Sequence, residues 1–323
     1  MKILLLVTGG RGGSDFFQGL LDGHSQILQF PGKLIIDENF NEMINLNNSE
    51  KISKKFINLF PHFFNSKLNK IERHNRLGKK KNKFYKVDKR NFIKNFSKLF
   101  KKRKLEKIEI IKNLHIAYSL TKKEKKCTKE IIFIHTHLVT LTRKFLKIVD
   151  VNNVTIIHTM RNPLSAINSP VKNWLKYKNG KYFFPRDLYF QLDLAFNGIF
   201  DLVNLKKKIF IIQLEKIHTD HRRVMKDFCK IFQIKFEKCM EKPTYFGLQW
   251  WGDKVSKIWV SGINKNFKIS IDKNFFFKRD ISFFEFLSIN IIKSYKYKLY
   301  FPYAKNYFNL LPMKCELLVW KNT

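Results

Sequence analysis

The first two dozen residues of the 323-residue chain, MKILLLVTGGRGGSDFFQGLLDGH, set the tightest limits on what it can fold into. An apolar run, Ile3 to Val7, leads into Thr8-Gly9-Gly10-Arg11-Gly12-Gly13-Ser14, and an amphipathic stretch with Phe16, Phe17, Leu20 and Leu21 on one face follows. A short, continuously apolar run ending in glycines predicts a strand buried on both faces, as in a parallel sheet. Gly9, Gly10, Gly12 and Gly13 allow a sharp turn and let backbone amides approach a ligand closely. Ser14 is expected to be the N-cap of the helix that follows. Strand, glycine loop, helix start and one arginine together predict an anion site. The loop is not a Walker A motif, because Gly13-Ser14-Asp15 stands where that motif has Gly-Lys-Ser/Thr. The spacing of the glycines does not match the dinucleotide fingerprint either.

Three more short apolar runs repeat the pattern. Ile131–Ile134 leads to His135-Thr136-His137, Val154–Ile157 leads to Arg161-Asn162-Pro163, and Ile209–Ile212 leads through Gln213 and Leu214 to Glu215. Helices are expected between them, at about Thr140 to Val149, Leu164 to Tyr177 (broken at Pro170), Pro185 to Leu205 and Asp220 to Phe232, with a last one near Ser282 to Tyr297. Ser25 to Gly32 reads as a loop, and helical spacing resumes from Asn39 to about Phe64. Strands alternating with helices predict an α/β fold, a P-loop-like three-layer α/β/α arrangement around a mostly parallel sheet. In such sheets ligands bind beyond the carboxyl ends of the strands, so the polar residues after each run are expected to converge on one crevice.

Charge is distributed unevenly. The formal net charge is +37 with 63 Lys and Arg against 26 Asp and Glu. Lys51 to Lys107 holds roughly twenty basic residues and three acidic ones. Within it Phe92, Ile93, Phe96, Leu99 and Phe100 recur at helical spacing, which predicts amphipathic helix over a disordered tail. Residues of about 51–125 are therefore expected to form a lysine-rich helical insertion in a single domain spanning 1–323. Such a surface draws anionic ligands and favours peripheral contact with an anionic membrane. Abundant Lys, Asn, Ile and Phe together are the signature of an AT-rich genome, so the charge alone names no partner. The four cysteines show no CxxC spacing, so neither a disulfide framework nor a metal site is expected, and the cytoplasm is the expected compartment. Ile3–Val7 is too short for a signal-peptide core, and no apolar run reaches bilayer-spanning length.

Two of these segments, in this order, resemble the sulfotransferases that use 3′-phosphoadenosine 5′-phosphosulfate. Thr8 to Ser14, with Phe16-Phe17 and Leu20 to His24, is similar to that family's 5′-phosphosulfate loop and helix. Arg161-Asn162-Pro163 followed by Ser169 is similar to its 3′-phosphate motif. Leu214-Glu215-Lys216-Ile217-His218 and Trp250-Trp251-Gly252-Asp253 resemble further stretches of its members. The resemblance implies 3′-phosphoadenosine 5′-phosphosulfate as sulfate donor, no metal, and transfer to a hydroxylated acceptor, expected to be a cell-surface glycan or glycolipid. It implies that Gly9, Gly10, Arg11, Gly12, Gly13, Ser14 and Asp15 hold the 5′ end of the donor and that Arg161 and Ser169 hold the 3′-phosphate. Arg11 would also stabilise charge in the transition state. His137 corresponds to the catalytic base of cytosolic members, with His135 in place of their lysine. Asp37 and Glu38 lie where carbohydrate-directed members place a catalytic glutamate. Asp15 puts a negative charge where threonine is usual, and Lys254 or Lys257 stands in for a basic loop seen in cytosolic members. Two other readings remain: a basic nucleic-acid-binding protein using the Lys51–Lys107 face, and an atypical P-loop nucleotide kinase, which lacks its lysine here.

Overall fold

The structure is a computed structural model that describes residues 1–8, 11–100, 105–122, 130–149, 154–169, 208–254, 261–267, 276, 278–287, 292–293 and 296. Strand β1 (Lys2–Thr8) is followed by helix α1 (Ser14–Leu20), strand β2 (Ile27–Gln29) and helices α2 (Glu38–Ile44), α3 (Ser49–Leu59) and α4 (Pro61–Phe64). Next come α5 (Lys89–Leu99), α6 (Lys107–Thr121), β3 (Ile131–His137), α7 (Val139–Val149), β4 (Val154–Met160) and a helix over 163–169. Strand β5 (Lys208–Gln213) runs into helices Leu214–Thr219 and His221–Phe232, a two-stranded ribbon of β6 (Thr244–Tyr245) and β7 (Leu248–Gln249), and a helix at Lys278–Leu287.

The five long-range strands form one sheet in the order β2-β3-β1-β4-β5, and every neighbouring pair is parallel. β1 is central, and residues Ile3 to Thr8 are all buried, which is why its sequence is apolar without alternation. Its side chains still divide between two layers. Leu4 and Leu6 pack with Phe17, Leu20, Phe228 and Phe232, while Ile3 and Leu5 join Phe30, Phe56, Phe63 and Tyr118 on the other face. Helices therefore cover both faces, giving the expected three-layer α/β/α arrangement.

The lysine-rich stretch supplies much of the second layer. Phe56, Phe63, Phe64, Phe92 and Phe96 are fully buried, and Phe30 from the end of β2 stacks on Phe63 with centroids 5.1 Å apart. α5 begins at Asp88, whose carboxylate accepts from Arg90 N (2.8 Å) and Asn91 N (3.1 Å), a side-chain cap for otherwise orphaned donors. The lysines of these helices are mostly left on the outer face.

Four differences from the sequence reading matter. Ile27–Gln29, read as loop, is an edge strand paired with β3. Leu214–Thr219 is helix, a segment to which the sequence reading assigned none. Gly13, in the left-handed conformation at φ 81°, occupies the N-cap position of α1, and Ser14 becomes the first helical residue. Leu77 to Lys83, whose glycine and lysines predict an exposed basic turn, begins with a Leu77 that is fully buried and bridged to Lys83. The expected helix at Pro185 to Leu205, and the part of Leu164 to Tyr177 beyond residue 169, lie outside the described residues, as do Gly9, Gly10 and Lys257.

Candidate active site

The carboxyl ends of β3, β1 and β4 lie side by side, with Val7 opposite His137 and Thr8 opposite Thr159. The loop after β1 folds across the end of β4. A Cβ on Gly12 would lie 2.4 Å from Thr8 Oγ1 and 2.5 Å from the Thr159 carbonyl oxygen, so only glycine fits there. Gly13 is pressed equally hard against Leu214, whose Cδ1 would lie 2.5 Å from an added Cβ. Arg11, at φ 49°, turns its guanidinium along the sheet edge. Its Nε donates to Ser169 Oγ at 3.2 Å, and Nη1 pairs with Asp253 Oδ2 at 3.1 Å.

Those two contacts join the segments singled out in the sequence. Ser169 ends the described part of the helix that follows β4, and Asp253 closes the Trp250–Asp253 stretch. Arg161 lies at the mouth of the same strand, its guanidinium 5.6 Å from the centre of the Phe267 ring. His218 stacks on the same Phe267 ring, with centroids 4.6 Å apart. Glu215 holds the backbone after β4, accepting from Asn162 N at 2.9 Å.

On the β3 side, His137 leaves the strand with φ 67°, just beyond a register shift against β1. Its Nδ1 lies 3.4 Å from Ser14 Oγ and 3.3 Å from His135 Nε2. His135 Nδ1 in turn lies 2.9 Å from Gln18 Oε1 and 3.8 Å from Asp15 Oδ1. Asp15 pairs with Lys33, whose ammonium lies 3.5 Å from Asp15 Oδ2 and 2.9 Å from Glu72 Oε1. Glu72 comes from the lysine-rich stretch, and the Trp250 indole N–H donates to its carbonyl at 2.7 Å. Lys33 and Glu72 are charged groups of the site that sequence reasoning missed, and Asp253 lies in a stretch that it quoted without giving this residue a role.

Burial governs the protonation of this cluster. Desolvation would neutralise Lys33, but Asp15 and Glu72 outweigh it and hold the ammonium charged, with its pKa above the ordinary value. Burial likewise works to raise Glu72, and the nearby Lys33 charge overrides it, keeping that carboxyl well below the usual range. Asp15 goes the other way. Its burial dominates the attraction of Lys33, and with repulsion from Glu72 it is pushed up to about 7. His137 is lowered to about 3, chiefly by burial and then by the Lys33 charge, so at neutral pH its ring is uncharged. His135 is also held well below the ordinary imidazole value, first by burial and then by His137.

The remaining candidates are placed by other contacts. Asp37 accepts from Phe40 N at 3.0 Å and caps α2, and Glu38 is exposed in the first turn of that helix. Neither hydrogen-bonds to a residue of the cluster. Lys254 is exposed, and its backbone N–H donates to the Ile71 carbonyl at 2.7 Å. Among the described residues there is no group of three or more His, Cys, Asp or Glu arranged to hold a metal ion. No helix among them is long and apolar enough to cross a membrane.

No family model matches the chain, and no curated relative does. Among solved structures it is similar to the sulfotransferase domain from the Synechococcus PCC 7002 olefin synthase, at 12% identity and a TM-score of 0.48, over 92% of this chain and 95% of that one. It is similar to the sulfotransferase domain from the curacin biosynthetic pathway, at 14% identity and a TM-score of 0.41, over 99% and 97% of the two chains. Sulfotransferase STF9 from Mycobacterium avium follows at 13% identity and 0.38, over 73% of this chain and 65% of that one. At these identities and scores the likeness by itself assigns no activity.

Proposed function

We propose that this chain is a sulfotransferase moving a sulfuryl group from 3′-phosphoadenosine 5′-phosphosulfate to a hydroxyl of a glycan or glycolipid. The observation that carries this reading is the 3.2 Å contact from Arg11 Nε to Ser169 Oγ. It brings the glycine loop and the Arg161–Ser169 segment to one edge of the sheet, where a single nucleotide phosphorylated at both ends can touch both. The loop fits such a ligand: Gly12 leaves no room for a side chain between Thr8 and Thr159 and presents bare backbone. Gly12, Gly13 and Ser14 would hold the 5′ end of the donor, and Arg161 and Ser169 the 3′-phosphate, with arginine the better planar donor set for phosphate.

In the transfer, the acceptor oxygen bonds to sulfur as the bond from sulfur to the 5′-phosphate oxygen breaks. The electron pair of that bond stays on the phosphate, leaving adenosine 3′,5′-bisphosphate. Arg11 would stabilise the negative charge building on the leaving oxygen, in place of water and without reorganisation. His137 Nε2 would take the acceptor's hydroxyl proton. Its ring is neutral beforehand because burial and the Lys33 and Arg11 charges oppose protonation. A bound anionic donor offsets those charges and raises the affinity of the ring for the arriving proton. The basic helical face would favour an anionic acceptor or an acceptor held at an anionic membrane.

Transfer of labelled sulfate from the donor to a panel of glycans and glycolipids tests the reading. Label appearing in an acceptor with wild type, and not with His137→Ala of equal thermal stability, supports it. Absence of transfer to every hydroxyl acceptor, together with absence of donor binding, contradicts it.

A further inference from the structure

Gln18 is fully buried in α1, and nothing in the sequence marked it as functional. Its amide orientation is set by its surroundings. Nε2 lies 2.8 Å from the Phe30 carbonyl and 3.3 Å from the Gly32 carbonyl, so the NH₂ group must face those two acceptors. The opposite end, Oε1, therefore faces His135 Nδ1 at 2.9 Å and can only accept. His135 Nδ1 must then carry a proton. Burial keeps this imidazole neutral, so its Nε2 holds a lone pair. That lone pair points at His137 Nδ1, 3.3 Å away, and the contact is favourable only if His137 Nδ1 is the protonated nitrogen. Ser14 Oγ, 3.4 Å from the same nitrogen, can share the proton as a second acceptor. In a neutral ring the remaining nitrogen, Nε2, is then bare, and it makes no hydrogen bond among the described residues.

We infer that Gln18 and His135 are positioning residues that lock His137 in the Nδ1–H tautomer and leave Nε2 as its proton-accepting atom. The chain of fixed protons runs from the Phe30 and Gly32 carbonyls through Gln18 and His135 to His137. Its logic is that of a base oriented by a third group, with an amide and a second imidazole doing what a carboxylate does elsewhere. The inference rests on the proposed base role of His137 for its consequence in catalysis, but the tautomer itself can be measured without any reaction.

The test is a two-bond ¹H–¹⁵N correlation spectrum of the full-length protein labelled at histidine, at neutral pH, with His135 and His137 assigned from His135→Phe and His137→Gln. The expected spectrum shows both rings neutral and protonated at Nδ1. A neutral His137 ring protonated at Nε2, or a charged one, overturns the inference, and this wild-type result stands even if a Gln18 variant fails to fold. Gln18→Met removes the fixed acceptor and should give His137 a mixed tautomer, with kcat for sulfate transfer falling at least about tenfold and KM for the donor unchanged. A well-folded Gln18→Met protein whose two imidazole spectra match wild type also overturns the inference. Nδ1–H rings in a protein that transfers no sulfate would support the tautomer assignment and overturn the proposed reaction.

Discussion

The crevice at the ends of β1, β3 and β4 and the helices of the lysine-rich stretch carry charge in opposite ways. On α3 and α5 the lysines sit on the rim, and what fixes the helices is the phenylalanine face beneath them. Lys54, for instance, pairs with Glu50 four residues earlier, with both side chains 61% exposed. In the crevice Lys33 is closed in between two carboxylates, and Arg11 is held between a hydroxyl and a carboxylate. A lysine in water is worth little wherever it stands, whereas one desolvated between carboxylates sets the protonation of everything around it. The net charge of +37 thus describes the outer surface and says almost nothing about the site.

Acid should expose the interior most strongly. His74, His115, His158 and His218 are each lowered to about 4 and His137 to about 3, and His135 is also lowered, in every case first by burial. Unfolded, they would take up protons near pH 6.5, so the unfolded state binds more protons between there and about 4. Stability should fall as pH drops through that window. Asp15 opposes the trend: raised to about 7, it favours the folded state while protonated and loses that contribution as pH rises. One carboxyl against six imidazoles leaves the fall dominant. Urea midpoints that stay level or rise on acidification from 6.5 to 4 would contradict the burial described here.

The next effect separates two lysines. Lys33→Met strands Asp15 and Glu72 in the interior and should cost about 3–5 kcal/mol. Lys54→Met on α3 should stay within about 0.5 kcal/mol. Equal losses in chemical denaturation would erase the distinction between the regions. A third comparison uses arginines and reads activity. Arg11→Ala should lower kcat for sulfate transfer about a hundredfold or more by removing a charge-stabilising donor, while Arg90→Ala on the exposed side of α5 should leave it unchanged. A large loss with Arg90→Ala would move the catalytic role of the basic face to the foreground.

The same contrast explains what the sequence could disclose. β1, β3, β4 and β5 were legible because doubly covered parallel strands need unbroken apolar runs. The edge strand Ile27–Gln29 was hidden by its three-residue length between polar residues and Pro31-Gly32. Arg11, Arg161 and His137 stood out because each follows an apolar run, and Ser169 because it stands eight residues after Arg161, as in the motif that this segment resembles. Lys33, Glu72 and Gln18 have no such signal: an isolated lysine in a chain with 63 basic residues is invisible until its burial is known. Gln18 reads only as one polar position in an apolar helix. Ser14 looked like a helix cap, but Gly13 can adopt the left-handed conformation that ends the loop, which frees the serine hydroxyl to face His137.

The most direct check is calorimetric titration of wild type and Arg161→Ala with adenosine 3′,5′-bisphosphate and, separately, with adenosine 5′-monophosphate. Wild type should bind the bisphosphate at one site, about tenfold or more tighter than the monophosphate, as expected for a charge-assisted contact to the extra phosphate. Arg161→Ala should bind the two nucleotides alike. Equal affinities in wild type, or no binding of either nucleotide, would contradict a single ligand bridging the glycine loop and Arg161.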